Sequence, residues 1–188
     1  LGLPNKEGLL RNRYVGRTFI ESGKWEDKVG AKFTVNRSAL EGKKVILVED
    51  SIVRGSTLKG LVEKIREEGK AREVHARIAC PPIQNPCFYG IDMTTYNELF
   101  ATSFGKAVDD LPRAEMENVS LKQMTRELGL DSLRYQSWEG LNTALGLDDT
   151  RFCRACVTGK YPTPNGEMLA KHAWDARAKK SSLRIYDT

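Results

Sequence analysis

Two sets of residues in this chain are of types and spacings that could do chemistry. The first is the adjacent carboxylate pair Glu49-Asp50, which follows the aliphatic run Val45-Ile46-Leu47-Val48 and leads into Ser51-Ile52-Val53-Arg54-Gly55-Ser56-Thr57. Adjacent carboxylates at a strand end suit vicinal hydroxyls, from which they accept hydrogen bonds, or a hard cation such as Mg²⁺ held through oxygen and water. The loop after them offers hydroxyls at Ser51, Ser56 and Thr57, while Gly55 lets backbone approach a ligand closely. Where such a loop opens a helix, free N–H groups and the helix dipole attract phosphate. Phosphate beside a diol outlines a ribose 5-phosphate. Gly55 to Gly60 has the spacing that begins a Walker A loop, but Leu61 and Val62 stand where Lys and Ser/Thr belong, which excludes a P-loop NTPase.

The second set is four cysteines, Cys80, Cys87, Cys153 and Cys156. Nothing in the sequence signals secretion, so metal or cluster chemistry is a better expectation than disulfides. Cys153-x-x-Cys156 alone fits zinc, a redox dithiol or an iron–sulfur site. No thioredoxin-like unit precedes the pair, and a zinc ribbon would want a second close pair, which Cys80 and Cys87 do not make. The two histidines, His75 and His172, carry no assigned role.

Elements must position these groups. The opening to about Leu40 is polar, basic and glycine-rich, and reads as a long loop or lid with one short strand at Lys32 to Val35. Lys44 to Glu49 reads as a strand buried on both faces of a parallel sheet. Leu58, Leu61, Val62 and Ile65 make the apolar stripe of a helix from Ser56 or Thr57 to Gly69, and a second strand is expected at Glu73 to Ala79. Residues 44–79 therefore read as a βαβ unit with a right-handed crossover. Pro81, Pro82 and Pro86 make the next stretch irregular. Helices are expected around Thr95 to Ala101, from Ser120 to Leu128 with a Ser120/Gln123 capping box and a Gly129 stop, from near Ser137, and as a loosely packed tail from about Lys171.

Composition bounds the possibilities. The chain has 188 residues, 30 Lys+Arg against 25 Asp+Glu and a formal net charge of +5, with 40% hydrophobic residues. That is an ordinary globular composition, and no apolar run approaches the ~20 residues of a spanning helix. Basic residues gather at Arg11, Arg13, Arg17, at Lys43-Lys44 and at Arg177, Lys179, Lys180, with acids in comparable number between them. A basic face invites nucleic acid, but plain solvated surface accounts for such a pattern equally well, and a small, heavily phosphorylated substrate would also suit it. The start, Leu1-Gly2-Leu3-Pro4, is neither a Met nor a signal peptide, so a cytoplasmic chain missing its beginning is expected.

The segment Val45 to Thr57 resembles the phosphoribosyl pyrophosphate (PRPP) motif of the type I phosphoribosyltransferases. Three further blocks resemble the amidophosphoribosyltransferase family: Arg11 to Ile20, Pro86-Cys87-Phe88-Tyr89-Gly90-Ile91-Asp92, and Cys153 to Thr163. The resemblance runs nearly end to end and fades after about Pro164. It implies an α/β fold, a parallel sheet flanked by helices and incomplete at its N-terminus, followed by a helical, cysteine-containing extension. Residues 1–105 would be the C-terminal part of the transferase domain and 106–188 the extension. By the same resemblance Glu49 and Asp50 hold the ribose diol and Mg²⁺, and Ser51, Arg54, Gly55, Ser56 and Thr57 help bind PRPP. Arg11, Arg13, Tyr14 and Arg17 belong to a loop that closes over it. Cys87, Cys153 and Cys156 match three ligands of a [4Fe–4S] cluster whose fourth lies upstream of Leu1. Cys80 reads as a buried thiol or a substitute ligand. The implied reaction converts PRPP and ammonia from glutamine to 5-phosphoribosylamine, in a homo-oligomer with an N-terminal glutaminase domain not found here. The competing classes are a PRPP-binding transcriptional regulator and a metal-bound structural module.

Overall fold

Hydrophobic spacing and turn chemistry build a three-stranded parallel sheet with helices, preceded by a small antiparallel pair. The computed structural model describes residues 2, 5–12, 33–104, 113–146 and 151–177, with the backbone alone for 113–119. Strand β1 (Leu9–Arg11) pairs antiparallel with β2 (Phe33–Val35), Leu10 opposite Thr34, and helix α1 (Arg37–Leu40) follows. The short strand expected at Lys32 to Val35 is β2, and Arg11, expected in a lid, lies in β1 opposite Phe33. Arg13, Tyr14 and Arg17 lie outside the described residues.

Strand β3 (Lys44–Glu49), helix α2 (Ser56–Glu67) and strand β4 (Glu73–Ile78) form the expected βαβ unit. Strand β5 (Ser132–Tyr135) completes a sheet of order β3-β4-β5. Hydrogen bonds Arg72 N–H to Lys43 O and Ala79 N–H to Glu49 O run in step along the first pair, and Asp131 N–H to Val74 O and Gln136 N–H to Ile78 O along the second, which makes both pairings parallel. Strand β3 is not buried on both faces. Ile46 is 54% exposed and Val48 70%, so the aliphatic run covers one face and leaves the other open.

The chain divides into two compact units, the first from residues 1–47, 56–76 and 125–133, the second from 48–55, 77–124 and 134–188. The first has its core in Leu58, Leu61, Val62 and Ile65 of α2 against Val74, Ala76, Leu128 and Leu133, all under 4% exposed. Arg66 ties it further, donating to Gly129 O at 2.8 Å and to Asp131 Oδ2 at 2.7 Å, while Asp131 Oδ2 also accepts Val74 N–H at 2.6 Å. His75 is satisfied in the sheet by Ser132 Oγ at 2.9 Å and Glu73 Oε2 at 3.2 Å.

The second unit holds two 3₁₀ turns (Tyr96–Glu98 and Phe100–Phe104), α3 (Arg113–Glu127) as far as Met124, α4 (Trp138–Leu145), α5 (Ala155–Thr158) and α6 (Pro164–Arg177). An α-helix expected over Thr95 to Ala101 is thus a pair of 3₁₀ turns. Helix α3 begins seven residues before the expected cap, so Ser120 sits within it and donates instead to Phe104 O at 2.9 Å. The stop at Gly129 is as expected, in the left-handed conformation with φ 67°. Ser137 caps α4 by accepting Gly140 N–H at 3.0 Å. The tail is helical as far as Arg177, with Ala173 buried; Trp174, though 41% exposed, meets the Tyr96 ring edge-on at 5.2 Å.

Candidate functional site

The acidic pair stands where a parallel strand ends. Glu49 is the last residue of β3, and the next strand extends past it, Ala79 N–H donating to Glu49 O and Cys80 N–H to Asp50 O, both at 2.9 Å. In open α/β sheets ligands bind beyond such carboxyl ends. Asp50 is exposed, and its Oδ1 accepts from Ser51 N–H at 2.6 Å and Ser51 Oγ at 3.3 Å, which fixes the carboxylate against the first loop residue.

Four attachments hold the loop itself. Ile52 is 4% exposed and anchors it by burial. Val53 O accepts Phe100 N–H at 2.7 Å. Arg54 pairs with Glu98 Oε2 and donates to Asp92 O at 3.1 Å. Gly55 is buried with φ 75°, and a Cβ there would lie 2.6 Å from Phe100 Cδ2. Only glycine combines that conformation with that contact. The chain then enters α2 at Ser56 and Thr57, and the helix's first turn carries no acidic residue, which leaves its positive end available to an anion.

Seven expected ligand residues, Glu49, Asp50, Ser51, Arg54, Gly55, Ser56 and Thr57, therefore fall on one strand end, one loop and one helix start. The Arg54 guanidinium is also engaged by Glu98 and by Asp92 O, which ties the loop to the turn behind it. Sequence reasoning missed Glu98, whose Oε1 also accepts from Thr95 N–H at 2.9 Å and Thr95 Oγ1 at 3.0 Å. The pattern Thr95-x-x-Glu98 was a readable capping signal, but the far-side partner Arg54 is 44 residues away and has no local signature.

The thiols form a second centre. All four are free, with Cys153 exposed and the others half-buried. Cys80, Cys87 and Cys156 pack against one apolar cluster of Ile83, Met93, Tyr96, Leu99 and Ala173. Burial, together with the neighbouring Cys80, Cys87 and Cys153, pushes the Cys156 thiol up to about 11. Burial and Asp50 raise Cys80 as well. Among the described residues no group of three Cys, His, Asp or Glu is arranged to hold a single metal ion, and no helix is long and apolar enough to cross a membrane.

Comparison with known proteins follows the same lines. No family model matches the chain. It is 46% identical over 164 residues to the amidophosphoribosyltransferase of Methanocaldococcus jannaschii, covering 86% of this chain and 31% of that protein. The enzyme of the same name from Bacillus subtilis is 44% identical, with 86% and 32% covered. A solved structure described as the allosteric regulatory enzyme of purine biosynthesis superposes with a TM-score of 0.66 at 43% identity, over 86% of this chain and 33% of that one. The chain corresponds to a C-terminal segment of the amidophosphoribosyltransferases. It spans about a third of the length of these relatives, and its parallel sheet with flanking helices agrees with the type I phosphoribosyltransferase fold expected of such a segment.

Proposed function

We propose that this chain is the PRPP-binding part of an amidophosphoribosyltransferase, in which ammonia released from glutamine displaces pyrophosphate from C1 of PRPP to give 5-phosphoribosylamine. The observation that carries the reading is the loop from Glu49 to Thr57, pinned by Phe100 and Glu98 and running into a helix start free of acids. Glutamate would be the co-product of a glutaminase domain, and a homo-oligomer in the cytoplasm is the proposed setting. Residues 1–105 belong to the transferase part and 106–188 to the extension.

The chain's own residues would mostly position and stabilise. Ser51, Ser56, Thr57 and the first N–H groups of α2 hold the 5-phosphate, with Gly55 letting it approach. Glu49 and Asp50 accept the ribose hydroxyls. Displacement at C1 passes through an oxocarbenium-like state, for which a fixed sugar and nearby carboxylates supply orientation and charge. Arg11, Arg13, Tyr14 and Arg17 would close over the pyrophosphate and exclude water.

Two groups are implied by this family and their donor sets fit. Exposed Asp50 beside Glu49 offers hard oxygens for Mg²⁺, which keeps most of its waters and substrate phosphates as ligands and so needs no protein cage. Mg²⁺ would neutralise the pyrophosphate as it leaves. Cys87, Cys153 and Cys156 are free thiols of the soft type that iron–sulfur clusters take, and such a cluster would tie the extension to the Pro86–Asp92 segment. Calorimetric titration of the chain with PRPP and Mg²⁺ tests the reading. Binding that weakens at least tenfold in Asp50→Asn supports it, and the same affinity in both, or none in either, contradicts it.

A further inference from the structure

One contact in the proposed site stands against the roles of its two partners. Ser51 is to donate to the 5-phosphate and Asp50 to accept from the ribose diol, yet here they hold each other. Asp50 Oδ1 accepts Ser51 N–H at 2.6 Å and Ser51 Oγ at 3.3 Å. An N–H bonded to a carboxylate makes a charge-assisted bond, roughly twice as strong as a neutral one. While that bond stands, the Ser51 amide proton is spent, and a carboxylate oxygen occupies the place a phosphate oxygen would take.

The surroundings leave one part of this contact free to move. Asp50 O accepts Cys80 N–H and Glu49 O accepts Ala79 N–H, both at 2.9 Å, so the backbone that carries the carboxylate is held by the next strand. On the other side Ile52 is buried, and Val53 O accepts Phe100 N–H at 2.7 Å. Asp50 itself is exposed. Rotation of its side chain between staggered positions therefore frees Ser51 without shifting the loop.

We infer that Asp50 gates the phosphate loop and makes phosphate binding conditional on the sugar: the ribose diol draws the carboxylate off Ser51, and the Ser51 N–H and hydroxyl then turn to the 5-phosphate. The inference rests on the PRPP-binding reading proposed above and adds a selectivity to it. Free phosphate has no diol to recruit Asp50, so it meets an occupied donor and a negative charge. A sugar phosphate opens the loop with one end and fills it with the other, which couples the two recognitions. A site closed about nine-tenths of the time binds about tenfold more weakly than an open one, and that penalty falls on phosphate alone.

Calorimetric titration of the full chain with inorganic phosphate and, separately, with PRPP and Mg²⁺ tests the gate in wild type, Asp50→Asn and Asp50→Ala. Both variants lose the charge, but asparagine keeps an oxygen for the Ser51 N–H and alanine keeps none. Phosphate is expected to bind Asp50→Ala at least about threefold more tightly than Asp50→Asn, and both more tightly than wild type, while PRPP binds both variants more weakly. Equal phosphate affinities in the two variants, or affinities no tighter than the wild type's, with PRPP binding still weakened, would overturn the gate and leave the proposed function standing. A wild-type chain that binds no PRPP would overturn both. The scalar coupling across the hydrogen bond between the Ser51 amide nitrogen and the Asp50 carboxyl carbon, read by NMR, needs no variant. It is expected in the free chain and lost on saturation with PRPP and Mg²⁺; a coupling absent from the free chain, or persisting in the complex, contradicts the gate.

Discussion

Gly55 bears the tightest steric demand in the phosphate loop. Its φ of 75°, and the mere 2.6 Å that would separate a Cβ from the Phe100 ring, leave an alanine no conformation that avoids both costs. Gly55→Ala is expected to destabilise the chain by about 1–3 kcal/mol and to weaken PRPP binding, read by thermal unfolding and by titration on the same sample. The glycine was legible as a functional residue because a strand, two acids and three hydroxyls surround it in sequence. Its clash partner was not, since Phe100 is 45 residues further on and nothing in its own neighbourhood marks it. Arg54 teaches the same lesson from the other side: a basic residue in a phosphate loop is legible from its neighbours, while its partner Glu98 is not.

At the scale of elements, the loop is held by the 3₁₀ turns behind it. Glu98 accepts from Arg54 with one oxygen and from Thr95 with the other. Removing its charge loosens the loop without touching a ligand-facing group. Glu98→Gln is expected to weaken PRPP binding about three- to tenfold, in line with the ~1 kcal/mol or so of a charged hydrogen bond, while an Arg54→Ala, Glu98→Gln double variant adds little to either alone; additive losses would contradict the coupling. In the first unit, Asp131 links β5 to α2 and β4. Burial alone would raise its carboxyl, but the Val74 N–H and Arg66 outweigh it and hold it below the usual range. A carboxyl depressed on folding stabilises above its unfolded pKa, and that contribution disappears as pH falls through the folded value. Asp131→Asn is expected to cost about 1 kcal/mol at neutral pH and to flatten the acid limb of the stability curve, as followed by denaturant melts between pH 7 and pH 2.

The βαβ unit was readable because α2's apolar stripe and β3's aliphatic run are long and differ in period. Strand β5 was not, because Ser132-Leu133-Arg134-Tyr135 buries a single residue deeply and carries a charge beside it. The Ser120 cap failed for a related reason: the pattern was present, but the helix started earlier and the hydroxyl found Phe104 O instead. Local signals name elements well when burial is one-sided and strong, and poorly when a distant partner settles the residue.

Among the described residues, β3 lies at the edge of its sheet, and its open face shows Ile46 and Val48. An aliphatic run reads alike whether one face or two are covered, which is why the sequence suggested full burial. An exposed apolar edge invites association between copies. Replacing both, Ile46→Thr with Val48→Thr, is expected to raise the concentration at which the chain stays monodisperse in light scattering with a change in melting temperature of under about 3 °C, since surface substitutions are usually close to neutral. The cysteine segments show the complementary case: a C-x-x-C pair and a distant Cys87 were visible as chemistry, and the clasp of Tyr161 on Pro86 and of Cys156 on Gln84 and Asn85 explains how they share one unit.

The central claim is that the loop after β3 and the start of α2 bind the phosphorylated sugar. Hydrogen exchange of the full chain with and without PRPP and Mg²⁺ tests it most directly. The expected result is slowed exchange of the amides of residues 51–58, absent in Asp50→Asn at the same ligand concentration. Unchanged exchange across that segment, with PRPP present at concentrations that protect another part of the chain, would contradict it.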